Sequence, residues 1–374
     1  MGAFGCGDSV LRVATAFVYD ERCLAHDNGS MVVDERAAGW LDVAHVEQPA
    51  RLTRTMQVLE RAGVLERLTR LESREATREE LELVHTPRLI DAIEAACAKG
   101  EYAWVGPEAR IGPASWESAL LAAGGLLRVT DAVLDGRTEN GFALVRPPGH
   151  HSSEDEAMGF CLFNNVAIAA RYAQRIRGLK RVAIVDWDVH HGNGTETVFW
   201  DDPSVLFISL HQDDLYPMGR GGLDALNEST LNIPLPAGTA DAGYLAAWDE
   251  LVKPALGDFG PEILLVSAGQ DPAAGDPLGR MSVTTEGFRQ LTKRAKQTGL
   301  PLAVTLEGGY SLDHLPFCNL AIVEELAGLE PSFAEDPLEL DVPRGLRDFE
   351  RVAIDACLRG WVGSESKTMK GTDG

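Results

Sequence analysis

Arg181-Val-Ala-Ile-Val-Asp186-Trp187-Asp188-Val189-His190-His191-Gly192-Asn193-Gly194 begins as an apolar strand and ends in carboxylate and imidazole side chains at alternate positions. In extended backbone successive side chains point to opposite faces, so Asp186, Asp188 and His190 share one side while Trp187 and Val189 take the other. Two or three metal-seeking groups therefore converge. Gly192 and Gly194 permit tight turns just past the strand, where open α/β sheets place their ligands. The stretch reads as half of a metal site.

Further apolar runs read as strands at 12–19, 141–146, 204–210, 262–268 and 302–306, and helical spacing of apolar residues fills 115–134, 165–177, 242–255 and 285–297. Strand and helix alternating in this way imply an α/β fold: a mostly parallel sheet with helices on both faces and working residues at the strand carboxyl ends. Residues 5–363 read as one domain, and 364–374, polar and free of aromatics, as a disordered tail. Proline and glycine punctuate 146–149, 216–222 and 271–279, which read as loops lining a pocket.

A chain of 374 residues, 45% hydrophobic and 24% charged, can bury a large core. Its formal net charge of -23 disfavours direct binding to nucleic acid and suits cationic partners such as basic peptides or amines. No apolar run is long enough for a membrane span, and the start lacks a secretory pattern. The six cysteines show no C-x-x-C spacing, so neither a disulfide framework nor a thiolate zinc knuckle is indicated, and a reducing cytoplasm fits.

A catalytic zinc keeps three protein ligands and one open position, so Asp188 and His190 need a third. Asp271 is the candidate, because it follows the buried-strand pattern Ile263-Leu-Leu-Val-Ser-Ala-Gly269 at an equivalent carboxyl end. A second histidine pair, His150-His151, follows another strand and a glycine turn. Two imidazoles can divide the work of proton transfer, one taking a proton from water and the other orienting substrate or protonating a leaving group. Asp186 and Asn193 are available to partner them. Tyr310, after the turn Glu307-Gly-Gly, can donate its phenol O–H to an oxyanion.

Together these motifs resemble the zinc-dependent histone deacetylase family, in particular its class II and bacterial amidohydrolase-like branch. The resemblance runs from Glu47-Gln-Pro-Ala-Arg51 through Arg146-Pro-Pro-Gly-His-His151, Gly159-Phe-Cys-Leu-Phe-Asn-Asn165, the opening stretch and Ser209-Leu-His-Gln212 to Asp271–Gly279 and Glu307-Gly-Gly-Tyr310. It implies the arginase/deacetylase fold with a sheet of about eight strands. It also implies hydrolysis of acyl amides, with zinc or iron(II) on Asp188, His190 and Asp271. His151 would be the general base and His150 its electrostatic or proton-donating partner, held by Asn193 and Asp186 respectively, while Tyr310 polarises the amide carbonyl.

The resemblance further implies structural potassium, one ion at Asp186, Asp188, His190, Ser209 and Leu210 and a second near Phe199, Asp202 and Val205. Gly159, Phe160, Tyr216, Leu278 and Gly308 would form the tunnel around an acylated lysine stem. Gln270, Pro272 and Ser152 depart from the family's common phenylalanine, alanine and alanine, which bears on acyl preference. The substrate is then an acyl-lysine peptide or protein, or a small acylated amine in the alternative of an acetylpolyamine amidohydrolase. Leu278, where an acidic residue would best recognise a charged amine, favours the former. A non-catalytic acyl-lysine reader and a two-metal ureohydrolase are the readings of other kinds, and self-association is left open.

Overall fold

The computed structural model describes residues 15–31, 40, 43–338 and 341–368, with 362–368 as helical backbone only. Cys6 and the start of the strand read at 12–19 lie outside the described residues. In chain order the strands are β1 (Thr15–Val18), β2 (Thr69–Arg70), β3 (Ala103–Gly106), β4 (Ala109–Ile111), β5 (Asn140–Ala143), β6 (Val182–Asp186), β7 (Val205–Gln212), β8 (Thr230–Leu235), β9 (Ile263–Ala268) and β10 (Leu302–Leu306). Eight of them form one sheet in the order β2-β1-β5-β10-β9-β6-β7-β8, and β3 with β4 makes a separate hairpin. Every neighbouring pair in the large sheet is parallel.

The strands are apolar on both sides because both sides are covered. Along β6, Ala183 and Val185 enter one core with Trp187, while Val182 and Ile184 enter the other. The first core is closed by helices Ala50–Arg61, Thr285–Gln297 and Leu315–Leu326, and the second by Pro87–Cys97, Ser115–Leu134 and Asn165–Arg175. No described helix is long and apolar enough to cross a membrane.

Two local departures from the sequence reading have physical causes. The strand read to Arg146 ends at Ala143, because Arg146 turns into a buried ion cluster. The helix read over 242–255 opens into a wide π turn at Trp248–Val252 and resumes to Phe259; Pro254, which lacks an N–H and crowds the preceding turn, accounts for the widening. At the other end, the helix Asp348–Thr368 carries the chain beyond Gly363, while 369–374 lie outside the described residues.

Candidate active site

β6 leaves the ladder at Asp186, yet the alternation persists because Trp187 and Val189 are both drawn into the core. Asp188 and His190 are thereby turned the other way. The loop after β9 brings in Asp271, whose Oδ1 accepts the Val189 N–H at 2.9 Å. His190 Nδ1 lies 3.0 Å from Asp188 Oδ1 and 3.1 Å from Asp271 Oδ2. One nitrogen and two carboxylates, all buried, thus present ligand atoms within 4.8 Å of one another. Donor atoms around a tetrahedral zinc with bonds of about 2.0 Å stand about 3.3 Å apart, so the set fits.

Two further observations support that fit. Asp271 Oδ2 is buried and, apart from the nearby His190 Nδ1, meets no hydrogen-bond donor among the described residues. Gly308 closes the cradle: its N–H donates to Asp188 Oδ2 at 2.7 Å, and a Cβ there would stand 2.1 Å from Asp271 Oδ2. Burial works against charge on His190, but the facing carboxylates overcome it and raise its pKa to about 10, while burial and then Asp188 raise Asp271 to about 7. This is a concentration of negative charge suited to a cation.

The histidine pair sits beside these ligands in two different settings. His150 Nδ1 is 2.8 Å from Asp186 Oδ2, and His151 Nδ1 is 2.7 Å from Asn193 Oδ1. For His150 burial opposes protonation, but Asp188 and Asp186 outweigh it and hold its pKa well above the ordinary value. For His151 burial, followed by the neighbouring His150 and His190, pushes the pKa well below. Neighbouring groups pushed apart in this way can serve as an acid and a base. The turn that carries them is held by Glu307, whose Oε2 accepts the Gly149 N–H at 2.6 Å and the His150 N–H at 3.2 Å.

His151, His190 and Tyr310 open onto a cavity of about 660 Å³. Gly159, Phe160, Tyr216 and Leu278 line it, whereas Gly308 is not among the lining residues and lies under the ligand carboxylates. Phe160 meets Tyr310 edge to face at 5.9 Å, and Tyr216 meets His151 likewise at 5.2 Å. Burial keeps the Tyr310 phenol well above its ordinary pKa, hence protonated. Sequence reasoning missed the mouth residues His45, Trp104 and Glu108; they come from distant segments with no shared motif.

It also left Glu47, Arg51 and Arg146 without a role. Glu47 accepts from Arg146 Nε at 2.8 Å and Arg51 Nη1 at 3.1 Å, and all three side chains are buried. Arg51 then donates to Gly309 O at 2.7 Å and lies 5.0 Å from the Tyr310 ring centre. Burial alone would raise the Glu47 carboxyl, but the two guanidiniums hold it well below the usual carboxylate range. Its stabilising effect is therefore complete above the unfolded carboxylate pKa and is lost only as strongly acid pH protonates the folded state. An Arg146→Met protein, with Glu47 left poorly paired, should lose about 3–5 kcal/mol of unfolding free energy in a denaturant titration near neutral pH. A loss under about 1 kcal/mol, the level of a surface pair, would contradict this account.

The positions matched to potassium also cluster. Asp186 pairs with Ser209 across β6 and β7, with Leu210 next to it. Phe199, Asp202 and Val205 lie on two consecutive turns, closed by Asp202 N to Phe199 O at 3.0 Å and Val205 N to Asp202 O at 3.2 Å. Of the departures from the family pattern, Ser152 donates to Leu162 O at 2.8 Å, Pro272 O accepts from Val283 N at 3.0 Å, and Gln270 is fully buried with neither carboxamide atom partnered among the described residues.

Residues 45–326 match the histone deacetylase domain. The chain is 39% identical over 360 residues to a histone deacetylase-like amidohydrolase of Pseudomonas aeruginosa, covering 91% of this chain and 94% of that one. It is 41% identical over 303 residues to the polyamine deacetylase HDAC10 of Homo sapiens, covering 76% of this chain and 45% of that protein. The crystal structure of the HDA15 HD domain superposes with a TM-score of 0.83 at 34% identity, over 96% of this chain and 99% of the other. Sheet order, cavity and likeness over most of the length agree: the chain belongs to the histone deacetylase family, and it is an enzyme that hydrolyses acyl-amide bonds.

Proposed function

We propose that this is a zinc-dependent deacetylase of the class II branch that removes acetyl or other acyl groups from lysine side chains of peptides or proteins. The observation that carries the reading is geometric: His150 on Asp186 and His151 on Asn193 sit beside the Asp188, His190 and Asp271 donors, and His151, His190 and Tyr310 open onto one cavity. A zinc ion held by those three residues would polarise the acyl carbonyl and acidify water; iron(II) suits the same donors.

The Asn193 carbonyl accepts from His151 Nδ1–H, which leaves the Nε2 lone pair free to take a proton from the attacking water. His150, kept cationic beside Asp186, stabilises the developing negative charge and supplies a proton toward the leaving amine. Tyr310 donates its O–H to the oxyanion that forms on the substrate carbonyl. Phe160, Tyr216 and Leu278 enclose the apolar stem of the substrate and exclude water. Potassium at the Asp186–Leu210 and Phe199–Val205 positions would brace the loops behind the ligands, and the protein is assigned to the cytoplasm.

A second reading, an acetylpolyamine amidohydrolase, draws support from Glu108, a carboxylate lining the cavity. The test is turnover of an acetyl-lysine peptide and of acetylspermidine before chelation, after it, and after zinc is restored. Activity on the peptide that vanishes with the metal and returns with it is expected. Preference for acetylspermidine would select the second reading, and a folded, zinc-loaded protein inert toward both would point to a different acyl amide or to acyl-lysine binding without turnover.

A further inference from the structure

Tyr310 lies in 307–311, a segment with no helix or strand of its own to hold it. Gly309, immediately before it, has φ of 113°, a conformation that adds no steric restraint. The position of the phenol must therefore come from outside the segment. The peptide group joining Gly309 to Tyr310 is gripped at both ends: its carbonyl oxygen accepts from Arg51 Nε at 2.7 Å, and its N–H donates to Asp276 Oδ2 at 2.6 Å. Cation at the oxygen and anion at the N–H define one orientation of that plane, because a flipped peptide would set like against like. The same Oδ2 accepts the Ser311 N–H at 3.0 Å, and Oδ1 accepts the Leu278 N–H at 2.9 Å. Asp276 is itself buried, and His314, 3.2 Å from Ala274 O, supports its loop from behind.

We infer that Asp276 is a positioning residue for the reaction: its carboxylate locks the Gly309–Tyr310 peptide so that the phenol points at the substrate carbonyl, and it ties that geometry to Leu278 at the cavity wall. This rests on the role given to Tyr310 above. Asp276 is outside the metal set, and its three partners are all backbone N–H groups of the two loops that frame the cavity.

Asp276→Asn replaces one accepting oxygen by a donor, so either Leu278 or the Tyr310–Ser311 pair faces an NH₂ group. Because a shift of about an ångström at a catalytic group can cost a hundredfold, kcat should fall by about ten- to a hundredfold. KM should change by less than about threefold, since Leu278 is only one of several residues that line the substrate cavity. Metal content should stay at the wild-type value. The deciding measurement is the same substitution in a Tyr310→Phe background, where it should cost less than about threefold more, because there is no hydroxyl left to aim. If Asp276→Asn does not fold, Asp276→Glu, which keeps the charge on a longer stem, enters the same comparison with the same expectation. A full further loss on top of an impaired Tyr310→Phe, or a loss traced to metal depletion, overturns the inference and spares the proposed function. Near-normal turnover by Tyr310→Phe alone overturns both.

Discussion

A Tyr310→Phe protein should turn over an acetyl-lysine substrate roughly 100- to 1000-fold more slowly than wild type, as removal of a single oxyanion donor does elsewhere. The ring itself should stay in place. It is buried, meets Phe160 edge to face at 5.9 Å and has the Arg51 guanidinium 5.0 Å from its centre, none of which depends on the hydroxyl. With the phenol protonated across the neutral range, the lost interaction is a donated hydrogen bond that matters most when the carbonyl oxygen becomes negative. Steady-state kinetics should show the effect in kcat, with KM and metal content near wild type. An effect confined to KM would mean that Tyr310 only binds the ground state.

A single methyl group at position 308 should do more. In Gly308→Ala the new Cβ would stand 2.1 Å from Asp271 Oδ2 and 2.6 Å from Asp188 Oδ2, so both carboxylates must move. Neither has room to do so while Val189 N and Gly308 N hold them at 2.9 and 2.7 Å. Bound metal, measured by atomic absorption after gel filtration, should fall from about one ion per chain to a small fraction, with activity lost in proportion. Full occupancy in that variant would show that Asp188 and Asp271 are not the ligands.

What could be read from the sequence was what a strand period imposes. Asp186, Asp188 and His190 announced themselves because Trp187 and Val189 between them are apolar, and burial of those two side chains is what turns the polar ones to the opposite side. Asp271 and Tyr310 were legible for the same reason, each following a run buried on both sides. β8 was not read, since Asn232 and Pro234 interrupt its apolar pattern; as the outermost strand, it tolerates a proline that a central one would not. The mouth residues His45, Trp104 and Glu108, and the clamps made by Arg51 and Asp276, left no periodic signal. Their positions depend on how irregular loops pack across large sequence separations, and no local propensity encodes that.

The hydrogen-bond ladder between β6 and β9, with Asp186 opposite Ser267, sets the spacing of the two loops that supply the metal ligands, whereas Phe160, Tyr216 and Leu278 stand on irregular segments. Apart from Leu278, which shares the Asp271 loop and is tied to Tyr310 through Asp276, the cavity wall and the metal ligands therefore have separate mechanical supports. A change in the segments that carry Phe160 or Tyr216 can widen, narrow or recharge the mouth without altering the distance between the ligand carboxylates. A scaffold divided in this way can diversify its substrates by small steps while the bond-breaking apparatus stays intact, which makes the protein a tractable starting point for laboratory selection toward new acyl groups.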